Sequence, residues 1–104
     1  MTTLTQFHQN DFGMVLEVLF RDERGNVLNV DGSSVRIFRF QDPDGNHWEK
    51  QAAFSTDGTD GKIRYTVEQR FLSVVGTWIY QGQIKTGNGQ FASDRFSFRV
   101  IPLL

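Results

Sequence analysis

The last quarter of the chain constrains the fold most. Phe96, Phe98 and Val100 alternate with Arg95, Ser97 and Arg99, a period of two that belongs to a strand with one dry and one wet face. Upstream, Trp78, Tyr80 and Ile84 share one parity, with Gly82 between them. Gly87-Asn88-Gly89 separates the two arms. The spacing predicts a long hairpin over residues 76–100, with Gly87 and Gly89 supplying positive φ at its tip.

Other strands follow the same logic. Leu4 to His8 reads as a short first strand. Phe12 to Arg21 reads as a second, with Phe12, Met14, Leu16, Val18 and Phe20 inward. Ser34 to Phe40 breaks rhythm: Val35 and Ile37 share one parity, Phe38 and Phe40 the other. Either a bulge shifts the phase or both faces are covered. His47 to Phe54 is a fourth strand with Trp48, Ala52 and Phe54 inward and Lys50 an exception. Ile63, Tyr65 and Val67 mark a fifth, and Glu68 to Ser73 suggests one helical turn. Asp42-Pro43-Asp44-Gly45-Asn46 is the strongest turn signal. The expected fold is all-β: an antiparallel, immunoglobulin-like β-sandwich of about seven strands, one domain over residues 1–104, with a small barrel as the alternative.

Composition narrows the function classes. At 104 residues the chain buries roughly 65% of its unfolded surface, enough for a core without disulfides, and it has no cysteine. Its formal net charge is −1, so no basic field favours nucleic acid. No apolar run reaches the roughly 18 residues of a membrane span, and Met1-Thr2-Thr3-Leu4 does not look like a signal peptide. The expected partners therefore exclude nucleic acid and membrane. Ten phenylalanines, with two Trp and two Tyr, point to an aromatic core.

Few residues suggest chemistry. Counted from Asp42, an EF-hand loop would need Gly and Glu where His47 and Ala53 stand, so a plain turn is expected there. Asp57, Asp60 and Gly61 supply too few oxygens for calcium, which leaves a solvated loop. His8 and His47 have no spaced ligand partner. No nucleophile elbow or phosphate loop occurs, so no catalytic, metal or cofactor residues are assigned. Trp48, Trp78 and Tyr80 would make a sugar-stacking platform if exposed, but their parity with apolar neighbours points to the core. Arg36, Arg39, Arg64, Arg95 and Arg99 would line a sheet face, either solvated or an interface.

Taken in order, several turns and strand starts form a skeleton. They are Gln9-Asn10-Asp11-Phe12-Gly13, Asp22 to Gly25, Val27 to Val35, Pro43-Asp44-Gly45, Asp60-Gly61-Lys62-Ile63-Arg64-Tyr65, Leu72, Gly76-Thr77-Trp78 and Ser93 to Val100. This skeleton resembles the N-terminal domain of phage baseplate upper proteins and related small immunoglobulin-like virion proteins of tailed bacteriophages. The resemblance implies a structural protein of the virion, made in the host cytoplasm. Such a protein docks on other phage virion proteins, forms a homo-oligomer in the assembly, is not an enzyme and needs no cofactor. In the family a stalk or receptor-binding region usually follows. With Leu104 last in the sequence, the expectation is a tail or baseplate part, a neck adaptor or a capsid decoration protein that does not itself reach a receptor. The expected contacts are the terminal apolar residues Leu4, Phe7, Ile101, Pro102, Leu103 and Leu104, at open sheet edges. The alternative is a carbohydrate-binding β-sandwich module.

Overall fold

The computed structural model describes residues 5–104. Eight strands form over the segments where the sequence alternates: β1 Thr5–His8, β2 Val15–Leu19, β3 Val35–Gln41, β4 His47–Gln51, β5 Ala53–Phe54, β6 Lys62–Thr66, β7 Gly76–Thr86 and β8 Gly89–Ile101. They build a five-stranded sheet in the order β1-β8-β7-β3-β4 and a three-stranded sheet in the order β2-β6-β5. The β-sandwich expectation holds. Among the described residues every strand pair is antiparallel except β1 with β8, which run parallel in the register Thr5↔Phe98 to His8↔Ile101.

The core is the set of inward parities. From the large sheet come Phe38, Phe40, Trp78, Ile84, Phe98 and Val100; from the small one Leu16, Val18, Ile63 and Tyr65. Rings interlock across and within the sheets: Phe40 meets Tyr65 of the small sheet edge-on at 5.6 Å and Phe71 edge-on at 4.9 Å, while within the large sheet Phe38 stacks on Tyr80 at 5.8 Å and Trp78 on Phe98 at 6.0 Å. Each such pair adds about 0.5–1.5 kcal/mol beyond the area it buries. The two sheets pack tightly against each other at Gly82. A Cβ there would stand 2.5 Å from Val18 Cγ2 and 3.2 Å from Phe20 Cζ, so the absence of a side chain is a packing requirement.

Five local expectations are corrected. β3 has no bulge: its register against both β4 and β7 is continuous, with Phe38 and Phe40 inward and Val35 and Ile37 on the outer face. The irregularity lies in the hairpin, between Gln81 and Gln83, where the Gly82 N–H donates to Ser93 Oγ at 2.9 Å. At the hairpin tip neither Gly87 nor Gly89 takes positive φ, and the turn is instead pinned by the Asn88 N–H donating to Thr86 Oγ1 at 3.1 Å. Residues 68–73 form turns, not a helix, with Arg70 at φ 68°. Phe12 precedes β2 and is 59% exposed, because Gly13 at φ 92° re-aims the chain before the strand begins.

Trp48 is the fifth. Its strand parity is inward, opposite Phe40, yet it is 45% exposed. β4 is the edge of the five-stranded sheet, and the three-stranded sheet is too narrow to cover it. The expected strand 47–54 also divides, because the chain leaves the large sheet after Gln51 and enters the small one at Ala53. Between them, the Ala52 N–H still donates to the Arg36 carbonyl at 3.0 Å.

Candidate docking surfaces

The terminal apolar residues meet at one sheet edge. Among the described residues β1 is the last strand of the large sheet, and no described strand pairs with its far side. Phe7 is half-buried, with its ring edge-on to Phe98 at 5.3 Å, which ties it to the chain's own core. Ile101 ends β8 beside His8, and its carbonyl accepts the Gln9 N–H at 2.8 Å. Pro102 lacks an N–H, so the ladder stops there. Leu103 is 56% exposed, and Leu104 is fully exposed. Leu4 lies outside the described residues. Phe7 and Ile101 thus lie near each other on the β1–β8 pair but on opposite faces, Phe7 inward with Val100 and Ile101 outward with His8, and Leu103 and Leu104 extend beyond the pair exposed.

The five arginines do not share one face. Arg36 turns inward, its guanidinium 4.3 Å over the Phe54 ring and its Nη1 donating to the Ser33 carbonyl at 2.6 Å. Arg64 lies on the outer face of the small sheet, in register with Glu17. Arg39, Arg95 and Arg99 share the outer face of the large sheet with Lys85. Arg39 binds Glu49 at 2.7 Å and donates from Nε to Gln83 Oε1 at 2.7 Å. Among the described residues, Lys85, Arg95 and Arg99 have no salt bridge and no side-chain hydrogen bond. Alternation predicted the outward parity of Arg95 and Arg99, but only the pairing register shows that Arg39 and Lys85 share their face.

The acidic loops satisfy themselves. Asp42 is 4% exposed, and its carboxylate accepts the N–H groups of Asp44 at 3.0 Å and Asn46 at 2.9 Å, the Asn46 amide at 3.3 Å and the Trp48 indole N–H at 3.1 Å. Burial pulls its pKa upward, but these hydrogen bonds outweigh it and hold the carboxyl below its ordinary value. Gly45 at φ 88° completes the expected turn. Asp22, Gly25 and Asn26 repeat the same turn, with Asp22 Oδ1 accepting from the Arg24 and Asn26 N–H groups, both at 2.9 Å. Asp57 accepts from the Thr59 hydroxyl at 2.6 Å and from its N–H at 3.0 Å, which lowers its pKa, and Asp60 accepts from the Lys62 N–H at 3.1 Å. These are carboxylates engaged in shaping their own loops.

A sugar platform is not assembled. Trp78 is 1% exposed and donates its indole N–H to the Val74 carbonyl at 2.9 Å, while Tyr80 lies on the same inner face. Trp48 stands alone of the three, its indole held by Asp42 and its ring edge-on to Phe71 at 6.1 Å.

Comparison with known proteins bears on both fold and family. No curated protein matches this chain. Among solved structures, CopC from Methylosinus trichosporium OB3b is similar, with a TM-score of 0.58 over 99% of this chain and 88% of that one. At 12% identity that likeness shows the fold alone. The BppU N-terminal domain family matches residues 5–102, from β1 to the residue after β8. The match takes in both sheets and the skeleton of turns between them, and the chain belongs to the BppU N-terminal domain family of phage baseplate upper proteins.

Proposed function

We propose that this chain is a structural protein of the bacteriophage tail or baseplate that acts by docking on other virion proteins and assembling in several copies. The observation that carries the reading is the family match over residues 5–102. The exposed Leu103 and Leu104, beside the open β1 edge, support docking through the terminal segments. Apolar side chains left in water beside an unpaired strand edge are what a partner would cover. The role is mechanical, not catalytic, in keeping with a family of baseplate proteins, and the protein made in the host cytoplasm ends in the virion.

Peptide mass spectrometry of gradient-purified phage particles tests this reading. Peptides of this chain should co-purify with tail and baseplate proteins at a fixed ratio. Their absence from particles, with the chain present in the infected-cell lysate, would overturn it. Truncation after Ile101 preserves the His8 pairing and the Gln9 hydrogen bond while removing Leu103 and Leu104. The truncated protein should fold and be depleted from particles.

A further inference from the structure

The outer face of the five-stranded sheet is rich in cations and poor in carboxylates. The registers place its side chains in rows: Arg99 beside Thr77; Ser97, Ile79, Gln41 and His47; Arg95, Gln81, Arg39 and Glu49; Ala92, Gln83, Ile37 and Gln51; Gln90, Lys85 and Val35. Four basic side chains stand against one acidic, on a chain of formal net charge −1. Arg39 is already paired with that single Glu49, which leaves the charge of Lys85, Arg95 and Arg99 uncompensated among the described residues. Between them lie β-branched aliphatics, with Val35 42% and Ile79 37% exposed. The face also carries Gln41, Gln51, Gln81, Gln83, Gln90, Ser97 and Thr77, but arginine beside exposed aliphatics, nearly without carboxylates, is a composition that protein interfaces favour. Its charge selects an acidic partner.

A second copy does not complement this face. Face-to-face pairing would oppose like charges. Among the described residues the side-chain carboxylates without a partner, Glu23, Asp31, Asp44 and Asp94, are spread over three turns and β8, and only Glu23 and Asp94 line a common cleft, with Asp22, so no acidic sheet face matches the basic one. Asp11, Asp22, Asp42, Asp57 and Asp60 accept hydrogen bonds from their own turns. Glu17 accepts from Ser55, and Glu49 and Glu68 pair with Arg39 and Lys50. We infer that the outer face of the five-stranded sheet, with Lys85, Arg95 and Arg99 around Val35, Ile37 and Ile79, docks an acidic surface of a different virion protein. The inference rests on the virion role proposed above and adds to the terminal contacts a second, electrostatic one.

Tail particles made without this chain provide the probe. The purified chain is titrated onto them at about 50 mM and about 500 mM NaCl, a range that takes the screening length from near 14 Å to near 4 Å. Wild type should bind, about tenfold more weakly at the higher salt. The Arg95→Glu/Arg99→Glu variant should bind at least about tenfold more weakly at low salt. Arg24→Glu/Arg64→Glu, with the same charge change off this face, should bind as wild type. All these side chains are exposed, so matching melting temperatures certify the folds. Equal binding by Arg95→Glu/Arg99→Glu and wild type would overturn the inference, as would equal weakening of both variants. Self-association of the chain in sedimentation, abolished by Arg95→Glu/Arg99→Glu, would overturn it too by naming a second copy as the occupant. Wild type that fails to bind the particles at either salt would instead remove the virion reading on which the inference stands.

Discussion

Substitution of Gly82 by alanine tests the packing of one sheet on the other. Gly82 is buried where the two sheets approach, and its φ is not in the left-handed region, so alanine meets no backbone penalty. The cost is space. The new Cβ would lie 2.5 Å from Val18 Cγ2, 3.2 Å from Phe20 Cζ and 3.4 Å from Ile63 Cδ1, where carbon–carbon contacts prefer about 3.5–4.0 Å. Val18 is β-branched, stiff at χ1 and 2% exposed, so it cannot swing aside. Overpacking of this kind costs about 1–3 kcal/mol. The loss of backbone freedom in the unfolded chain returns about 0.4–1 kcal/mol. The net destabilisation is about 1–2 kcal/mol, a fall in melting temperature of roughly 5–15 °C for a domain of this size. Urea denaturation of Gly82→Ala, Val18→Ala and the double variant gives the decisive cycle. Val18→Ala alone should cost about 2 kcal/mol for its lost methyl groups. In the double variant the clash with Cγ2 is gone, so the total should fall short of the sum by about 1 kcal/mol. A Gly82→Ala protein as stable as wild type, or strict additivity in the cycle, would refute the close approach of the sheets.

Three further outcomes follow from single side chains. Gly87→Ala should leave stability unchanged or raise it by about 0.4–1 kcal/mol, since its φ is not positive and no atom lies within 4 Å of its would-be Cβ; a drop in urea midpoint would restore a left-handed turn. Asp42 has a folded-state pKa below its unfolded value, so its stabilisation is present above about pH 4 and is lost as pH falls through the folded pKa. Asp42→Asn should therefore flatten the acid limb of a urea-midpoint profile, and an unchanged limb would contradict the hydrogen-bond account. The Tyr65 hydroxyl is buried with the Glu68 carboxylate near it but without a hydrogen bond of good geometry, and burial first, then that carboxylate, pushes the phenol well above its ordinary pKa. Tyr65→Phe should thus raise the melting temperature, whereas a loss of about 1 kcal/mol would show that the hydroxyl is satisfied after all.

The parts of the fold readable from sequence are those set by local alternation. The Phe98–Val100 arm and the Ile63–Val67 strand follow from period two, whereas Phe96 has the same inward parity but is 41% exposed. What escapes is set by sheet width and long-range register. Trp48 has the parity of a core residue, but its burial depends on how far the opposite sheet extends. Val35 and Ile37 look inward by hydrophobicity, yet Phe38 and Phe40 claim that side, and a wide outer face accommodates the aliphatics. The parallel pairing of Thr5–His8 with β8 joins opposite ends of the chain, which no local pattern encodes. The arginines show the same limit. Their alternation is legible, but pairing separates Arg36 and Arg64 from the face that Arg39, Arg95 and Arg99 share with Lys85. The family skeleton survives this because it consists of turns and strand starts, and Asp42 to Asn46 forms the turn its residues predict.

Immunogold electron microscopy of purified phage particles, with antibody against this chain, tests the central claim most directly. The account predicts label at the distal end of the tail, on the baseplate. Intact particles without label, when the same antibody detects the chain in the lysate and no denatured chain is found in the particles by blot, would contradict it.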